Sequence, residues 1–116
     1  MYCDLHTHST ASDGTTAPAE VVRLARRARL AAIALTDHDT FAGLDEAEDA
    51  GRKQGIRVVP GVELSLPHGN GSFHLIALGV DRSSRRIQSV AEELKDARGP
   101  RNAGMVARLN ELGVDI

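Results

Sequence analysis

His6 and His8 flank Thr7 directly after a short extended run, and Asp13 follows in a loop of Ser, Thr and Gly. Side chains two apart on a strand share a face, so both imidazoles project together. Imidazole is the commonest metal ligand at neutral pH. A lone His-x-His is weak evidence, equally readable as two half-exposed histidines bracketing a threonine. The chain then adds His38 between Asp37 and Asp39, Glu63 in a Val-Glu-Leu-Ser run, and His74. This set offers nitrogen and oxygen donors but no thiolate, which suits Zn²⁺, Mn²⁺ or Fe²⁺ rather than a Cys-rich structural zinc. His6, His8, Asp13, His38, Glu63 and His74 are more donors than one ion takes while keeping positions open for water and substrate. The site therefore reads as multinuclear, and a carboxylate such as Glu63 can bridge two ions where a neutral imidazole normally binds one.

Donors so far apart in the chain need a scaffold that gathers them. Tyr2 to His6 reads as a strand, and Ala17 to Arg29 as a helix with Pro18 in its first turn and Val21, Leu24, Ala25 and Ala28 on one stripe. Ala31 to Leu35 has the length and apolarity of a strand buried on both faces. A helix from about Phe41 to Gln54, with Leu44, Ala47 and Ala50 inward, stops at Gly55, and Arg57 to Val62 forms a third strand. Ser65 to Val80 reads as a hairpin turning at His68-Gly69-Asn70-Gly71, with His68 an exposed turn residue. Arg85 to Ala97 is helical through Ile87, Val90, Ala91 and Leu94. Gly99-Pro100 breaks it, and helical spacing resumes from Arg101 to Leu112. Alternating strand and helix is the grammar of a parallel α/β fold, whose functional groups gather at the C-terminal strand ends. Strand one ends in His6-Thr7-His8, strand two in Asp37-His38-Asp39 and strand three in Glu63.

Composition narrows the function. The 116 residues suffice for one small domain, the net charge is −2 and aromatic residues are 3%. Neither a basic nucleic-acid face nor a base-stacking platform is indicated. The one cysteine, Cys3, excludes an internal disulfide, suits a reducing compartment and reads as a small buried apolar residue. Without a signal-like N-terminus or a membrane-length apolar run, the expectation is a cytoplasmic protein that does not engage a membrane. Ser9, Ser12 and Ser65 lie in the motif loops without a neighbouring base, so a covalent serine mechanism is not supported.

The segments HTHSTASDG, ALTDHDT, VVPGVELS and FHLIALGVD, in this order over residues 2–81, resemble the successive motifs of the PHP (polymerase and histidinol phosphatase) phosphoesterases. The likeness is greatest to the small bacterial enzymes acting on nucleoside 3′,5′-bisphosphates and short RNA 5′ ends. That resemblance implies an α/β fold, the N-terminal part of a distorted (β/α)₇ barrel over 1–84 and the start of a helical insertion over 85–116. It also implies three divalent ions, Mn²⁺ first and Zn²⁺ or Fe²⁺ as alternatives. His6, His8 and Glu63 would hold one ion, Glu63 and His74 a second, and Asp13 and His38 a third. A water activated at His6, His8 and Glu63 would attack phosphorus, while Asp37 and Asp39 would orient His38 or that water. Arg98, Arg101 and Asn102 match the part of the insertion that contacts substrate, and they read equally as a solvated helix junction.

The expected substrate is a nucleotide or short oligonucleotide phosphate, with no stable duplex partner. Histidinol phosphate as substrate, or a non-catalytic metal-binding module, are the alternatives. The family's pattern continues with a further histidine and an Asp-x-His motif that this sequence does not reach. The chain is therefore expected to be an excerpt of a longer protein and incomplete as a catalyst by itself.

Overall fold

The computed structural model describes residues 2–69 and 71–116. Its elements run β1 (Cys3–Thr7), α1 (Pro18–Arg27), β2 (Ala32–Leu35), α2 (Leu44–Gln54), β3 (Arg57–His68), β4 (Gly71–Leu78) and α3 (Arg85–Glu111). The sheet order is β1-β2-β3-β4. β1, β2 and β3 are parallel, with Cys3 opposite Ala32 and Ala32 opposite Arg57; β4 returns antiparallel along β3 from His68↔Gly71 to Gly61↔Leu78. The expected α/β order with a terminal hairpin is what forms. The turn placed at Asn70 lies outside the described residues.

Both crossover helices lie against one another and the sheet. Val22 and Ala25 of α1, Ile33 and Leu35 of β2, and Leu44, Ala47 and Ala50 of α2 join Ile56 in one buried cluster. The start of α1 lacks a side-chain cap of its own, and Glu46 of α2 accepts from the Ala19 amide at 3.0 Å instead. α2 ends on Gly55 in the left-handed region, φ 65°. Among the described residues no helix is long and apolar enough to cross a membrane.

Four local expectations are corrected. The buried stripe of α1 is Pro18, Val22 and Ala25, and Leu24 is 47% exposed; a period of 3.6 fits either stripe, and packing on α2 selects this one. Cys3 is exposed, because β1 pairs with β2 alone and its residues Cys3–His6 face outward. Glu63 does not end its strand. β3 outruns β2, whose pairing stops at Leu35↔Pro60, and continues as the partner of β4. α3 is not broken at Gly99-Pro100 and carries Pro100 inside it. Proline removes the bond to the carbonyl four residues back, but Asp96 and Pro100 are both exposed, so that carbonyl is not stranded in a core.

α3 meets the rest of the chain sparsely, with Ala91 its one buried residue. β4 and the distal part of α3 expose Phe73, Leu75, Ile76, Leu78, Met105 and Leu112.

Two glycine replacements separate helix propensity from packing. A Cβ on Gly51 would sit 2.6 Å from Val58 Cγ2 and 2.9 Å from the Ile56 carbonyl oxygen, whereas one on Gly104 meets nothing within 4 Å. Alanine adds up to about 1 kcal/mol of helix propensity at either site, and overpacking costs about 1–3 kcal/mol. Gly51→Ala is expected to lower the thermal midpoint and Gly104→Ala to hold or raise it; a stabilised Gly51→Ala would refute the packing described for α2 on β3.

Candidate metal centre

Thr7 shows how the first two imidazoles are aimed. Its Oγ1 donates to Ala34 O at 2.6 Å, and its carbonyl accepts from the Thr36 amide and hydroxyl at 2.9 and 3.1 Å. With Thr7 bound to β2, alternation puts His6 and His8 together on the other side. Their Nε2 atoms are 3.0 Å apart, and each lies 2.8 Å from the same Glu63 Oε2.

Glu63 and His74 meet through sheet register. Ser65 is opposite His74 in the β3–β4 ladder, and Glu63, two residues before Ser65, takes the diagonal position on the same face. His74 Nδ1 consequently lies 2.7 Å from Glu63 Oε1. His38 follows β2 and bridges β3 at Glu63: the Glu63 amide donates to Asp37 O and the Asp39 amide to Glu63 O. Its Nε2 stands 3.6 Å from Asp13 Oδ2 and 3.8 Å from Glu63 Oε2. Asp13 Oδ1 is 3.1 Å from His8 Nδ1.

All six sequence candidates thus converge. They form three groups, His6/His8/Glu63, His8/Asp13/His38 and His38/Glu63/His74, with donor atoms within 4.8 Å of one another in each. The first group passes a simple test of fit. Donors about 2.1 Å from one ion stand about 3.0 Å apart at right angles and about 3.4 Å apart at tetrahedral angles, and this triangle has edges of 2.8, 2.8 and 3.0 Å. Two imidazole nitrogens that face each other and one carboxylate oxygen also compete for protons, a conflict that a shared cation removes. His8 belongs to two of the groups. Nε2 faces Glu63 while Nδ1 faces Asp13, the arrangement of an imidazole that ligates through one nitrogen and donates from the other.

The other expected site residues fall into place differently. Asp37 and Asp39 do not bond His38. Asp37 accepts from Ser9 N, Ser9 Oγ and Ser12 Oγ. Asp39, with φ 52°, accepts from Ser65 N and from Arg98. Each Asp side chain leans away from the imidazole between them, toward neighbouring elements. Arg98 also donates to Ser65 Oγ at 2.8 Å, and that oxygen lies 3.4 Å from His38 Nδ1. Arg98 and Arg101 line a cleft of about 180 Å³ between α3 and the tip of the β3–β4 hairpin, with Ser72, Pro67 and Leu94. Asn102 is exposed. His68 is exposed as expected and rests edge-on against Phe73. Ser9, Ser12 and Ser65 are hydrogen-bond bridges beneath and beside the site. Alternation did not expose that role, because their partners lie 25–28 residues away or at Arg98.

Burial pushes the Glu63 carboxyl up, but hydrogen bonds from His6 and His74 and the charge of His38 outweigh it and hold the group below its usual value. Burial likewise raises Asp13, and His38 and His8 overcome that to leave it lowered. Burial pushes His38 below the ordinary imidazole value; Glu63 and Asp13 oppose this, and His8 and Arg98 add to it. Each shift favours the form that binds a cation, deprotonated carboxylate and neutral imidazole.

The sequence pattern of the PHP domain matches residues 4–103. The chain is 37% identical over 111 residues to a 5′-3′ exoribonuclease of Haemophilus influenzae, covering 96% of this chain and 40% of that protein. It is 37% identical over 111 residues to a 3′,5′-nucleoside bisphosphate phosphatase of Chromobacterium violaceum, covering 96% and 39%. The solved structure of an amidohydrolase from Chromobacterium violaceum, with bound sulfate and no metal, superposes with a TM-score of 0.92 at 35% identity, covering 100% of this chain and 41% of that one. The chain thus spans about two fifths of the length of these relatives.

In metal-free protein His38 is expected to titrate below about 6.5, the ordinary imidazole value, as followed by its ring-proton NMR shift. Glu63→Gln is expected to lower it further, since the Glu63 charge pulls it up. A folded-state value held down means that the unfolded chain binds more protons, so His38 costs the fold stability as pH falls through about 6.5. Titration at or above that value would contradict the environment described.

Proposed function

This chain is a member of the PHP domain family, and from that premise we propose that it forms part of a hydrolase that cleaves phosphomonoesters with the help of divalent cations. The carrying observation is the convergence of four imidazoles and two carboxylates in three overlapping donor groups, two of which share Glu63. His6, His8 and Glu63 would hold one ion, Glu63 and His74 a second, and Asp13 and His38 a third. Mn²⁺ leads the expected metals and Zn²⁺ or Fe²⁺ also suit the donors. Bound there, such ions supply Lewis acidity toward water and toward phosphoryl oxygens.

The chain's own residues do the rest. Glu63, buried and hydrogen-bonded by His6 and His74, keeps its deprotonated form in the middle of the site. Arg98 is held by Asp39 and Ser65, and its Nε is buried without a hydrogen-bond partner. A phosphate oxygen would satisfy that donor, and a guanidinium offers phosphate a planar fork. Arg101 on the same cleft adds a second positive charge. An anion anchored there leaves a second phosphoryl group free to lie at the donor cluster, which favours a nucleotide or short oligonucleotide carrying two phosphates. The sulfate in the related amidohydrolase structure and the names of the two relatives support this substrate class. On this reading residues 1–84 form the barrel wall and residues 85–116 begin an insertion that faces substrate. The single Cys3 and the absence of a membrane-length helix among the described residues support a cytoplasmic setting.

Chelation of the intact protein is expected to abolish phosphate release and Mn²⁺ to restore it; full turnover in chelator would sink the proposal. Assayed side by side, a nucleoside 3′,5′-bisphosphate is expected to be preferred to histidinol phosphate, and the opposite order would overturn the substrate assignment. Arg98→Ala is expected to raise KM for the bisphosphate by about 10–100-fold, the value of a hydrogen bond to a charged group, with a smaller change in kcat.

A further inference from the structure

The loop from Ser9 to Gly14 carries Asp13, whose side chain is 66% exposed. Its side-chain partners are the two imidazoles of the site, His8 and His38, and Ser12 Oγ at 3.4 Å, so its position rests largely on the backbone beneath it. Two features define that backbone. Ser9 O accepts from both Ser12 N and Gly14 N, a tight turn that requires glycine, since a Cβ at Gly14 would lie 2.8 Å from the carbonyl of His8. The second is Asp37. Its Oδ1 accepts from Ser9 N at 2.7 Å and Ser12 Oγ at 2.6 Å, and its Oδ2 accepts from Ser9 Oγ at 2.7 Å.

Asp37 and Ser9 are both fully buried. A buried carboxyl is costly unless its oxygens are well matched by donors, and here all three donors belong to the Asp13 loop. The same residue reaches the rest of the centre through its main chain: its carbonyl accepts from Glu63 N, and its neighbour is His38. Asp37 therefore connects the Asp13 loop to the segment after β2 that carries His38 and to Glu63 on β3.

We propose that Asp37 is a positioning residue that sets the Asp13 carboxylate against His38, so that the Ser9–Ser12–Asp37 contacts control occupancy of the cation position those two residues share. The inference rests on the metal reading above and deepens it. Removing Asp37 contacts would loosen one position of the centre most, because His6, Glu63 and His74 lie on paired strands and His8 follows β1 directly, whereas Asp13 lies four residues into the loop.

Ser12→Ala is the informative variant. Ser12 is half-buried, and its loss removes one bond from Asp37 and the longer 3.4 Å bond to Asp13 Oδ1 without opening the core. Asp37→Asn, in the buried floor, spares the bond to Asp13 and is expected to weaken the same ion. Mn²⁺ binding to the intact protein is measured by titration with metal counted per chain. In Ser12→Ala, one ion is expected to bind about 10–100-fold more weakly, the usual size of outer-contact effects, with the remaining ions unchanged. In an Asp13→Asn background the same replacement is expected to add nothing, since the two act on one position. Equal weakening of every ion, or a Ser12→Ala effect that persists without Asp13, would overturn the proposal. So would unchanged binding in Asp37→Asn while the unaltered protein binds normally. An unaltered protein that binds no ion would overturn the metal reading itself and this inference with it.

Discussion

Four imidazole rings in a row, tilted or edge-on to one another with centroid separations of 4.6–5.1 Å along the series His6, His8, His38 and His74, constrain everything else in this molecule. They cannot all be protonated at that spacing, because like charges so close in a half-buried setting repel strongly. Nor can they all be neutral donors to one carboxylate oxygen. The economical resolution is positive charge that is not a proton, held by lone pairs that point inward. The lowered values of Glu63, Asp13 and His38 accord with that arrangement, since each of the three shifts favours the unprotonated form.

The fold supplies the convergence by a simple device. Parallel strands β1 and β2 deliver their following residues to one edge of the sheet, and right-handed crossovers place both helices on one face. β3 then overshoots its partner and returns as β4, so that Glu63 and His74 reach the same edge by antiparallel register instead of by a strand end. A one-residue slip of that hairpin would turn His74 to the opposite face. The eight ladder pairs from Gly61↔Leu78 to His68↔Gly71 place a candidate metal donor as much as they fix a sheet.

Much of this was legible in the sequence, and the reasons differ between elements. Apolar runs with alternating polar ends located β1, β2 and the hairpin, and residue type, placement at strand ends and, for His74, its place after the Gly-Val-Glu run picked out the six residues that the structure brings together. The phase of α1 was not legible, because Val21/Leu24 and Val22/Ala25 satisfy the helical period equally and only contact with α2 decides. The exposure of Cys3 depended on β1 having one neighbour, a fact of topology. Proline at position 100 marks a break only where the freed carbonyl would be buried. The destinations of Asp37 and Asp39 depended on donors 25 or more residues away, beyond any local pattern.

Those two aspartates disclose how the site is kept rigid while staying open. The buried polar side chains given by the structure are Ser9, Thr36, Asp37, Asp39 and Glu63, and every one lies beneath or within the donor cluster. Thr36 bonds Thr7 below the first two imidazoles, Ser9 and Asp37 bond each other below Asp13, and Asp39 bonds Ser65 beside His38. Burying such groups is unfavourable unless each is matched, so the polar floor has one low-energy arrangement and the donors above it inherit that arrangement. His6, Asp13 and His74 can then remain exposed to solvent and substrate without losing their geometry. Arg98 is the exception that fits the same logic. It is tied to the floor through Asp39 and Ser65 but arrives on α3, whose buried residue is Ala91, so its placement rests on those two bonds and on that packing.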